Sequence, residues 1–511
     1  MRFIRAPFLV LLLAGSLIAA AAARADVEPA AIAALLQRGS TIELAGRSIE
    51  TGTLNRLYTA RDYRPIWTAE RRNELVAALA DAPSQGLDPG AFAIPDAEPA
   101  ATEILLSDAF MRYALALGRG LVTMDDVYGD WGVPQPALDP AAVLARALDH
   151  GVGATLTALP PQDTGYVRLR QAYLRYRDLT QHAAWTPINL KPPLKPGTAG
   201  PDVVKLRQRL AAEGFVPPGD SPVFDSALSV AVSRFQFARG LPPDGAVGLA
   251  TLTALNVTPD ARLRTIRLNL ERHRAMPHVE PPTRIVVNVP DATGVLYQPN
   301  QPPLTMRVVV GGPNRQTPVL AATMNALLLN PPWIVPQSIA VKEILPLAHK
   351  DPDYLANNDY VLNGQQLIQL PGPKNALGKI KFEFPNRFDV YLHDTPAKTL
   401  FARTRRALSH GCIRVENPRE LARRLMADDP KWTMDALDAA IATGKTQRVT
   451  LPHPVPVSIV YWTAFVDDDS TVEFRDDIYG RDQRLDEALV ARDMTEQPRS
   501  PPRVGVVPGQ S

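Results

Sequence analysis

The chain has 511 residues, and its 55 Lys or Arg residues nearly balance 53 Asp or Glu residues, which gives a formal net charge of +2. This balance, together with the lack of a long basic run, excludes the charge pattern of a typical nucleic-acid-binding protein. At ~150 residues per domain, the length predicts about three domains, each able to bury its own core.

The first 25 residues have the pattern of a secretory signal peptide. Two arginines precede an apolar run at 8–22, which leads into the small-x-small cleavage site Ala23-Arg24-Ala25. Because the run is shorter than the ~20 residues of a membrane-spanning helix, we predict cleavage after residue 25 and export of the mature chain. An uncleaved anchor is the alternative. No later stretch of the sequence is long and apolar enough to cross a membrane.

Residues 26–190 are predicted to form a helical scaffold domain. The segment is rich in Ala, Leu and Arg, and Leu106, Phe110, Tyr113 and Leu117 recur at steps of four, three and four. These steps are typical of one helical face that packs against a core. We interpret the segment as a scaffold without chemistry of its own.

A compact helical module at 197–257 begins within a Pro-rich break at 191–201. From residue 202 onward, three short helical patterns alternate with Gly/Pro turns. The stripes expected in the core are Val203, Leu206 and Leu210; Ala227, Ala231 and Phe235; and Leu252 with Leu255. The pieces DVVKLRQRLAAEGF, FDSALSVAVSRFQFARGLPPDG and VGLATLTALNV resemble the small three-helix peptidoglycan-binding module of wall enzymes. An ordinary helical linker domain is the alternative, since such stripes suit any small core.

A β-rich domain is predicted after a helical connector at 262–275. Short β-branched runs predict strands at 284–289, 306–310 and 388–393. A Pro-punctuated insertion at 330–375 contains Trp333, a helical run at 342–350 and a polar loop at 356–359. Long insertions beside a sheet are often lids or binding loops, so we predict a lid here.

The segment 450–490 is predicted to be an extension whose last ordered element is a hairpin. Its strands are expected at 457–466 and 471–474, around the polar turn at 467–470. The tail at 497–511 is rich in Pro and small polar residues, and this composition predicts disorder.

Cys412 is the only cysteine, so it cannot form an internal disulfide, although exported proteins usually use cysteines in pairs. His410 lies beside it, and His393 lies 19 residues earlier in the chain. A thiol is a weak nucleophile near neutral pH, and an imidazole can activate it and later protonate a leaving amine. Gly411 lets backbone N–H groups approach a substrate oxyanion without a Cβ in the way. These residue types predict acyl transfer through a thioester.

The segments HDTP (393–396) and SHGCIRVENP (409–418) resemble the signature of the L,D-transpeptidase, or YkuD-type, catalytic domain, over residues 283–449. The resemblance implies that Cys412 is the nucleophile, that His393 is the general base and that the backbone carbonyl of Asp394 orients the imidazole. We assign the remaining candidates to the oxyanion and substrate site: Gly411, His410, Arg414, Ser409, Tyr391 and Trp333. Many relatives carry Asn two residues after the cysteine, and Arg414 places this chain in a large subgroup instead.

Further blocks resemble the same large subgroup: GGPNRQTP (311–318), NPPWIVPQSI (330–339), PGPKNALGKIKFEFPN (371–386) and FRDDIYGRD (474–482). The resemblance implies a multidomain α+β protein. Its expected parts are a helical scaffold, a three-helix peptidoglycan-binding module and a β-rich L,D-transpeptidase catalytic domain with an inserted lid.

The resemblance also implies a reaction on peptidoglycan stem peptides in the periplasm. Cys412 would attack the bond before the terminal D-alanine of a tetrapeptide stem, and an amine of a second stem would resolve the thioester. No metal or organic cofactor is expected, the partners are peptidoglycan stems and glycan, and carbapenems should acylate the thiol. Hydrolysis by an L,D-carboxypeptidase, attachment of a protein to the wall through a lysine, and a non-catalytic wall-binding scaffold are the competing functions.

Other interpretations of the same residues stay open. A lone cysteine is often a small buried hydrophobic residue without chemistry. A zinc site from His393, His410 and Cys412 is another possibility, because residues i and i+2 of a strand point to one face, but no standard zinc spacing is present. Trp333, Tyr391 and Arg414 could also serve packing or surface ion pairs.

Overall fold

The computed structural model describes residues 27–496 except 183, 184, 186 and 192. The predicted signal peptide at 1–25 and the predicted disordered tail at 497–511 therefore lie outside the described residues. Within the described ranges, no helix is both long and apolar enough to cross a bilayer.

The N-terminal region is mostly helical, as predicted. Its elements are α1 (Pro29–Leu36), β1 (Thr41–Leu44), β2 (Arg47–Glu50), α2 (Thr51–Thr59), α3 (Ala69–Ala80), α4 (Pro99–Arg119), α5 (Met124–Tyr128), β3 (Trp131–Gly132), α6 (Pro140–His150), α7 (Val152–Thr157) and α8 (Thr164–His182). Helix α4 starts at a proline and ends before Gly120, whose positive φ stops the helix. The four residues of its predicted face are all buried in one core with α1–α3, α6 and α7.

The next region contains three helices around their own small core: α9 (Pro201–Ala212), α10 (Ser226–Ala238) and α11 (Leu249–Leu255). The predicted stripe on α9 is fully buried. Of the stripe predicted on α10, Ala231 and Phe235 are buried as expected, whereas Ala227 is exposed and Leu228 and Val232 complete the buried face. Leu228 begins the i, i+3, i+4, i+7 set that ends at Phe235, and this set forms the face toward the core.

The C-terminal part begins with the connector helix and then alternates strands with short helices. Its elements are α12 (Pro259–Arg274), β4 (Arg284–Asn288), β5 (Thr293–Gln298), β6 (Gln301–Gly311), β7 (Val319–Leu329), β8 (Trp333–Ile334), α13 (Gln337–Ile339), α14 (Leu345–Lys350), α15 (Tyr354–Asn357), β9 (Tyr360–Asn363), β10 (Gln366–Gln369), β11 (Ile380–Glu383), β12 (Leu392–His393), β13 (Ala407–Ser409), β14 (Ile413–Val415), α16 (Pro418–Leu425), α17 (Met434–Ala442), β15 (Gln447–Val460), β16 (Ala464–Val466), β17 (Val472–Phe474) and α18 (Arg481–Glu496).

Eight of these strands form a closed sheet. The hydrogen-bonded order is β11-β12-β14-β6-β5-β4-β15-β7, and β7 pairs back onto β11. Closure removes the free edges of the sheet, and the interior is filled by the largest apolar core of the described chain. Strand β3 of the N-terminal region pairs with β7, so the scaffold is joined to this sheet by backbone hydrogen bonds.

The strand predicted at 388–393 is only two residues long in the structure. Asn386 causes the difference, because its side-chain oxygen accepts hydrogen bonds from the N–H groups of Phe388 and Val390. Asp389 between them has φ +53°, so the backbone turns where a strand was expected. Regular pairing begins only at Leu392.

The insertion at 330–375 has more regular structure than the sequence predicted. Strands β8, β10 and β9 form a separate three-stranded sheet over a small apolar cluster. The predicted helix at 342–350 begins earlier, at Gln337, and passes through a π-helical turn at 340–344. The predicted polar loop at 356–359 is partly helical, since α15 reaches Asn357. Strands of two to four residues are too short to leave a clear alternating pattern.

The prediction that the last ordered element is a hairpin is wrong. Strand β15 ends at Val460, and a shorter hairpin of β16 and β17 follows it. The predicted strand at 457–466 is interrupted after Val460 because the N–H groups of Trp462 and Thr463 donate to the side chains of Asn288 and Asn269 rather than to a neighbouring strand. Helix α18 then follows the hairpin. Strand β15 also runs across the predicted boundary at 449/450.

A buried ion cluster joins the three regions. Glu213, after α9, pairs with Arg239 after α10 and lies 3.5 Å from Arg262 of α12. The Tyr176 hydroxyl of α8 donates to Glu213 at 2.9 Å, and both guanidinium groups lie within 5.0 Å of the Phe474 ring centroid. Burial alone would raise the pKa of Glu213, but the two arginines outweigh it and hold the pKa below its ordinary value.

We predict that Glu213→Ala lowers the free energy of unfolding by about 3–5 kcal/mol, because it leaves two buried guanidinium groups without their shared carboxylate. Lys205→Ala is the matched control. It removes a partly exposed pair with Asp202 on α9 and should lower stability by less than about 1 kcal/mol. Urea unfolding of the full chain measures both, and equal small losses would contradict the role given to this cluster.

Candidate active site

The candidate residues come together because β12 and β14 are parallel neighbours. His393 lies opposite Arg414 in this register, and Ile413 N–H donates to Tyr391 C=O at 3.0 Å. Side chains two residues apart on a strand share a face, so Tyr391 and His393 face the same side as Cys412 and Arg414. Lys381 joins this face from β11, where it lies opposite His393.

His393 is held as a neutral imidazole with one free ring nitrogen. Its side chain is buried, and Nδ1 lies 2.5 Å from the carbonyl oxygen of Asp394. Because a carbonyl can only accept, the ring proton resides on Nδ1 and the Nε2 lone pair is left free. Burial and then the positive charge of Arg414 lower the pKa of His393 to about 3, although the hydrogen bond to Asp394 opposes the shift.

Cys412 is half-buried at the end of a tight turn, with Sγ 3.8 Å from the carbonyl oxygen of Asp389. Burial raises the pKa of this thiol, and hydrogen bonds from the backbone N–H and hydroxyl of Tyr391 work in the opposite direction. A raised thiol pKa beside a lowered imidazole pKa favours the neutral thiol and neutral imidazole over an ion pair. The thiol proton must then leave as the sulfur attacks.

Tyr391 lies between Cys412 and the insertion at 330–375. Burial, followed by the neighbouring Cys412 thiol, raises the pKa of Tyr391, and the nearby Trp333 side chain opposes the shift. The Tyr391 ring meets the His393 ring edge-on at 5.6 Å, and the Lys381 ammonium lies 4.2 Å from the Tyr391 centroid. Trp333 of β8 therefore brings the insertion at 330–375 close to Tyr391.

The turn at 409–412 is closed by Ser409. Its hydroxyl donates to the Cys412 carbonyl at 2.6 Å and accepts from the Gly411 N–H at 3.2 Å. Gly411 has φ +114°, which only glycine adopts without strain. The Gly411 N–H is thus already engaged, whereas the Cys412 N–H makes no hydrogen bond within the described residues. The latter is the better candidate for an oxyanion donor.

Two predicted residues point away from the thiol. His410 Nε2 lies 2.8 Å from the carboxylate of Glu343 on the lid, which also pairs with Arg315 at 2.5 Å. The Asp394 carboxylate accepts from the N–H of Thr395 and pairs with Lys398. Asp394 therefore reaches the site only through its backbone carbonyl, and His410 contacts the lid.

Neither a metal site nor a large cavity coincides with Cys412. Across the described residues, no group of three or more His, Cys, Asp and Glu side chains is arranged to hold a metal ion. A cavity of about 660 Å³ lies beside the 394–398 loop, where Lys379, Lys398 and Arg419 are among its lining residues, and Cys412 does not line it.

Sequence reasoning missed Lys381 and Glu343 as parts of this site. Lys381 lies inside the block at 371–386, and its position opposite His393 follows only from strand pairing that the sequence did not reveal. Glu343 lies on the predicted lid helix, but its contact with His410 depends on how the lid is folded over the turn.

We predict that iodoacetamide alkylates Cys412 slowly at neutral pH, with a rate that rises only at pH values above the midpoint of an ordinary thiol, because burial raises the pKa of Cys412 and thiolate forms only above that pKa. Since Cys412 is the only cysteine, the intact-protein mass reports its modification. The chain unfolded in urea is the control, and its midpoint should return to about 8.5. A plateau of fast alkylation between pH 5 and 7 would show a thiolate–imidazolium pair and contradict this prediction.

Comparison with known proteins assigns each region to a family. Residues 282–450 match the YkuD family, described as "L,D-transpeptidase catalytic domain", and residues 52–172 match a "Scaffold domain" family. Residues 199–255 match a family described as "Putative peptidoglycan binding domain". These three matches follow one another along the chain in the predicted order.

A curated relative from Haemophilus influenzae (strain ATCC 51907 / DSM 11121 / KW20 / Rd), named "Putative L,D-transpeptidase", is 31% identical over 252 residues. The match covers 45% of this chain and 51% of the relative, so the chain spans about half the length of this curated relative.

Two solved structures have 16% sequence identity, and each match covers 53% of this chain and all of the other. They are the L,D-transpeptidase (residues 123–326) from Xylanimonas cellulosilytica, with a TM-score of 0.19, and a fused Zn-dependent amidase/peptidase/peptidoglycan-binding domain-containing protein from Clostridium acetobutylicum, with a TM-score of 0.14. Because both TM-scores are this low, neither structure supports a conclusion about the fold or function of this chain. The family matches and the site motif agree: the chain contains one region that matches the YkuD-type L,D-transpeptidase catalytic domain, one that matches a scaffold domain and one that matches a peptidoglycan-binding domain.

Proposed function

We propose that this protein is a peptidoglycan L,D-transpeptidase that cross-links stem peptides through a thioester on Cys412. One observation carries the proposal: the proton of His393 is held on Nδ1 by the Asp394 carbonyl, which leaves Nε2 free on the same strand face as the thiol. A thiol with a correctly oriented imidazole beside it is the minimal apparatus for acyl transfer.

In the first half-reaction, Nε2 of His393 takes the thiol proton as Sγ attacks the carbonyl carbon of the third stem residue. The carbon–nitrogen bond to D-alanine then breaks, and the imidazolium returns the proton to the departing amine. The acyl group stays on sulfur as a thioester. A low imidazole pKa suits this cycle, because the ring stays neutral and able to accept a proton at physiological pH.

The tetrahedral oxyanion would be stabilised by the Cys412 N–H and the nearby charge of Arg414. The Nε of Arg414 is buried and has no hydrogen-bond partner among the described residues, which supports a role toward a bound anion. Tyr391 and Trp333 would contact substrate at the mouth of the site, where the lid meets the thiol. Ser409 would contribute to the reaction only indirectly, because its hydrogen bonds fix the shape of the turn at 409–412.

In the second half-reaction, an amine of a second stem attacks the thioester, the carbon–sulfur bond breaks, and the thiol is restored. Water in place of the amine would make the protein an L,D-carboxypeptidase, and a protein lysine would make it a wall-attachment enzyme. We favour cross-linking because the insertion has an apolar cluster of its own and contacts the turn before Cys412 through Glu343 and His410, so that it would restrict water at the thioester.

A non-catalytic wall-binding scaffold is the competing proposal from a different class. The peptidoglycan-binding domain match supports binding under either proposal. The two differ because a scaffold predicts that wall binding survives Cys412→Ala and that no product is ever formed. We place the protein in the periplasm, on the strength of the wall-directed domains and the predicted signal peptide.

We predict that the full chain converts purified tetrapeptide muropeptides into dimers linked between third residues, with release of one D-alanine per dimer. Cys412→Ala should give no product, and His393→Gln should slow turnover about 10²–10⁴-fold, because it removes the proton acceptor. His453→Gln is the control, since His453 is an exposed histidine paired with Asp428. Mass spectrometry of the products decides among the outcomes: tripeptide monomers alone would show hydrolysis, and unchanged substrate would refute catalysis.

A further inference from the structure

Thr317 lies beneath the nucleophile turn and is completely buried. Its hydroxyl donates to the carbonyl oxygen of Gly411 at 2.7 Å and accepts from the N–H of Gly311 at 2.9 Å. The single side chain therefore ties the end of β6 to the residue before Cys412. A buried hydroxyl with both partners satisfied has one orientation, so this tie is rigid.

The Gly411 carbonyl and the Cys412 N–H belong to the same peptide unit. Because that unit is planar and trans, the two groups point in opposite directions. The hydrogen bond from Thr317 holds the carbonyl toward the protein interior and thereby turns the Cys412 N–H outward. This N–H is the candidate oxyanion donor identified above, and it makes no hydrogen bond within the described residues.

Tyr479 holds Thr317 in place from outside the matched catalytic region, which ends at residue 450. Its hydroxyl accepts from the N–H of Thr317 at 3.2 Å and donates to the carbonyl of Gly311 at 2.5 Å. Its own N–H donates to the Tyr461 hydroxyl at 2.9 Å. The segment between β17 and α18 therefore supports the turn that carries the nucleophile.

Arg481 extends this support to the scaffold region. The side chain is fully buried, pairs with Asp130 before β3, and donates to the Gln316 side chain at 3.2 Å. The carbonyl of Gln316 lies 3.5 Å from the point where a Cβ on Gly411 would sit. One continuous set of contacts thus runs from the scaffold, through the C-terminal segment, to the nucleophile turn.

We infer that Thr317, held by Tyr479, is a positioning residue for the transfer reaction: it fixes the Gly411–Cys412 peptide so that the Cys412 N–H faces the oxyanion. The inference rests on the proposed function, since it takes Cys412 as the acylated nucleophile. A structural role alone would affect folding stability. A positioning role also affects the maximal rate of acylation and leaves ligand binding largely unchanged.

The test follows acylation of the full chain by a carbapenem with intact-protein mass spectrometry, over a range of carbapenem concentrations. Thr317→Val keeps the shape but removes the hydroxyl, and it should lower the maximal acylation rate about tenfold or more, because a misdirected oxyanion donor loses much of its effect. The half-saturating concentration should stay within about twofold. Thr317→Ser restores the hydroxyl and should restore the rate.

Thr251→Val is the matched control, because Thr251 is also buried and hydrogen-bonded but lies in the module around α10 and α11. It should leave acylation unchanged. If Thr317→Val does not fold, Tyr479→Phe takes its place and should slow acylation about threefold or more, since it frees the Thr317 backbone. A wild-type rate in the folded variant would overturn the positioning role alone. Absence of acylation in the wild-type chain would overturn the proposed function.

Discussion

The hydrogen bond between His393 Nδ1 and the carbonyl of Asp394 is the interaction on which the account of this site depends. It fixes the tautomer, and the parallel pairing of β12 with β14 sets the imidazole on the face of the thiol. Both features are properties of the backbone. The carboxylate of Asp394 is turned away and tied to Lys398, so it contributes to the shape of the loop and not to the proton chemistry.

The electrostatics of the site follow from how deeply it is covered. Burial lowers the pKa of the imidazole and raises that of the thiol, so the pair rests uncharged. The positive charge of Arg414 lies close to where negative charge would develop on sulfur and on the oxyanion. Such an arrangement favours the reacting state over the resting one, which is the condition for catalysis. The insertion at 330–375 contributes by placing Glu343 against His410 of the turn and Trp333 near Tyr391.

The fold class and the residues at the centre of the site could be predicted from the sequence, because hydrophobic periodicity indicates the fold class and short motifs indicate the site residues. The four-residue face of α4 and the motif around Cys412 are local patterns that need no knowledge of the rest of the chain. The prediction of a full strand at 388–393 was wrong because the Asn386 side chain accepts a hydrogen bond from the backbone there. Such a contact leaves no periodic signal in the sequence. The C-terminal break at Trp462 has the same kind of cause.

Contacts between distant segments could not be predicted at all. Thr317, Tyr479 and Glu343 reach the nucleophile turn from three separate parts of the chain. Thr317 and Tyr479 lie in blocks that resemble the large subgroup, but nothing in those blocks indicates that the two residues meet. Only closure of the eight-stranded sheet and the packing of the C-terminal segment against it bring them together. The same holds for the ion cluster at Glu213, whose partners lie in regions that look independent in the sequence.

The central claim is that Cys412 forms a covalent acyl-enzyme with His393 as its base. Intact-protein mass spectrometry of the full chain with a tetrapeptide muropeptide, at short mixing times and without added acceptor, tests it most directly. We expect a mass increase equal to the muropeptide minus D-alanine in the wild-type chain, no increase in Cys412→Ala, and a slow increase in His393→Gln. An unmodified wild-type chain that still binds wall material, or an adduct that persists in Cys412→Ala, would contradict it.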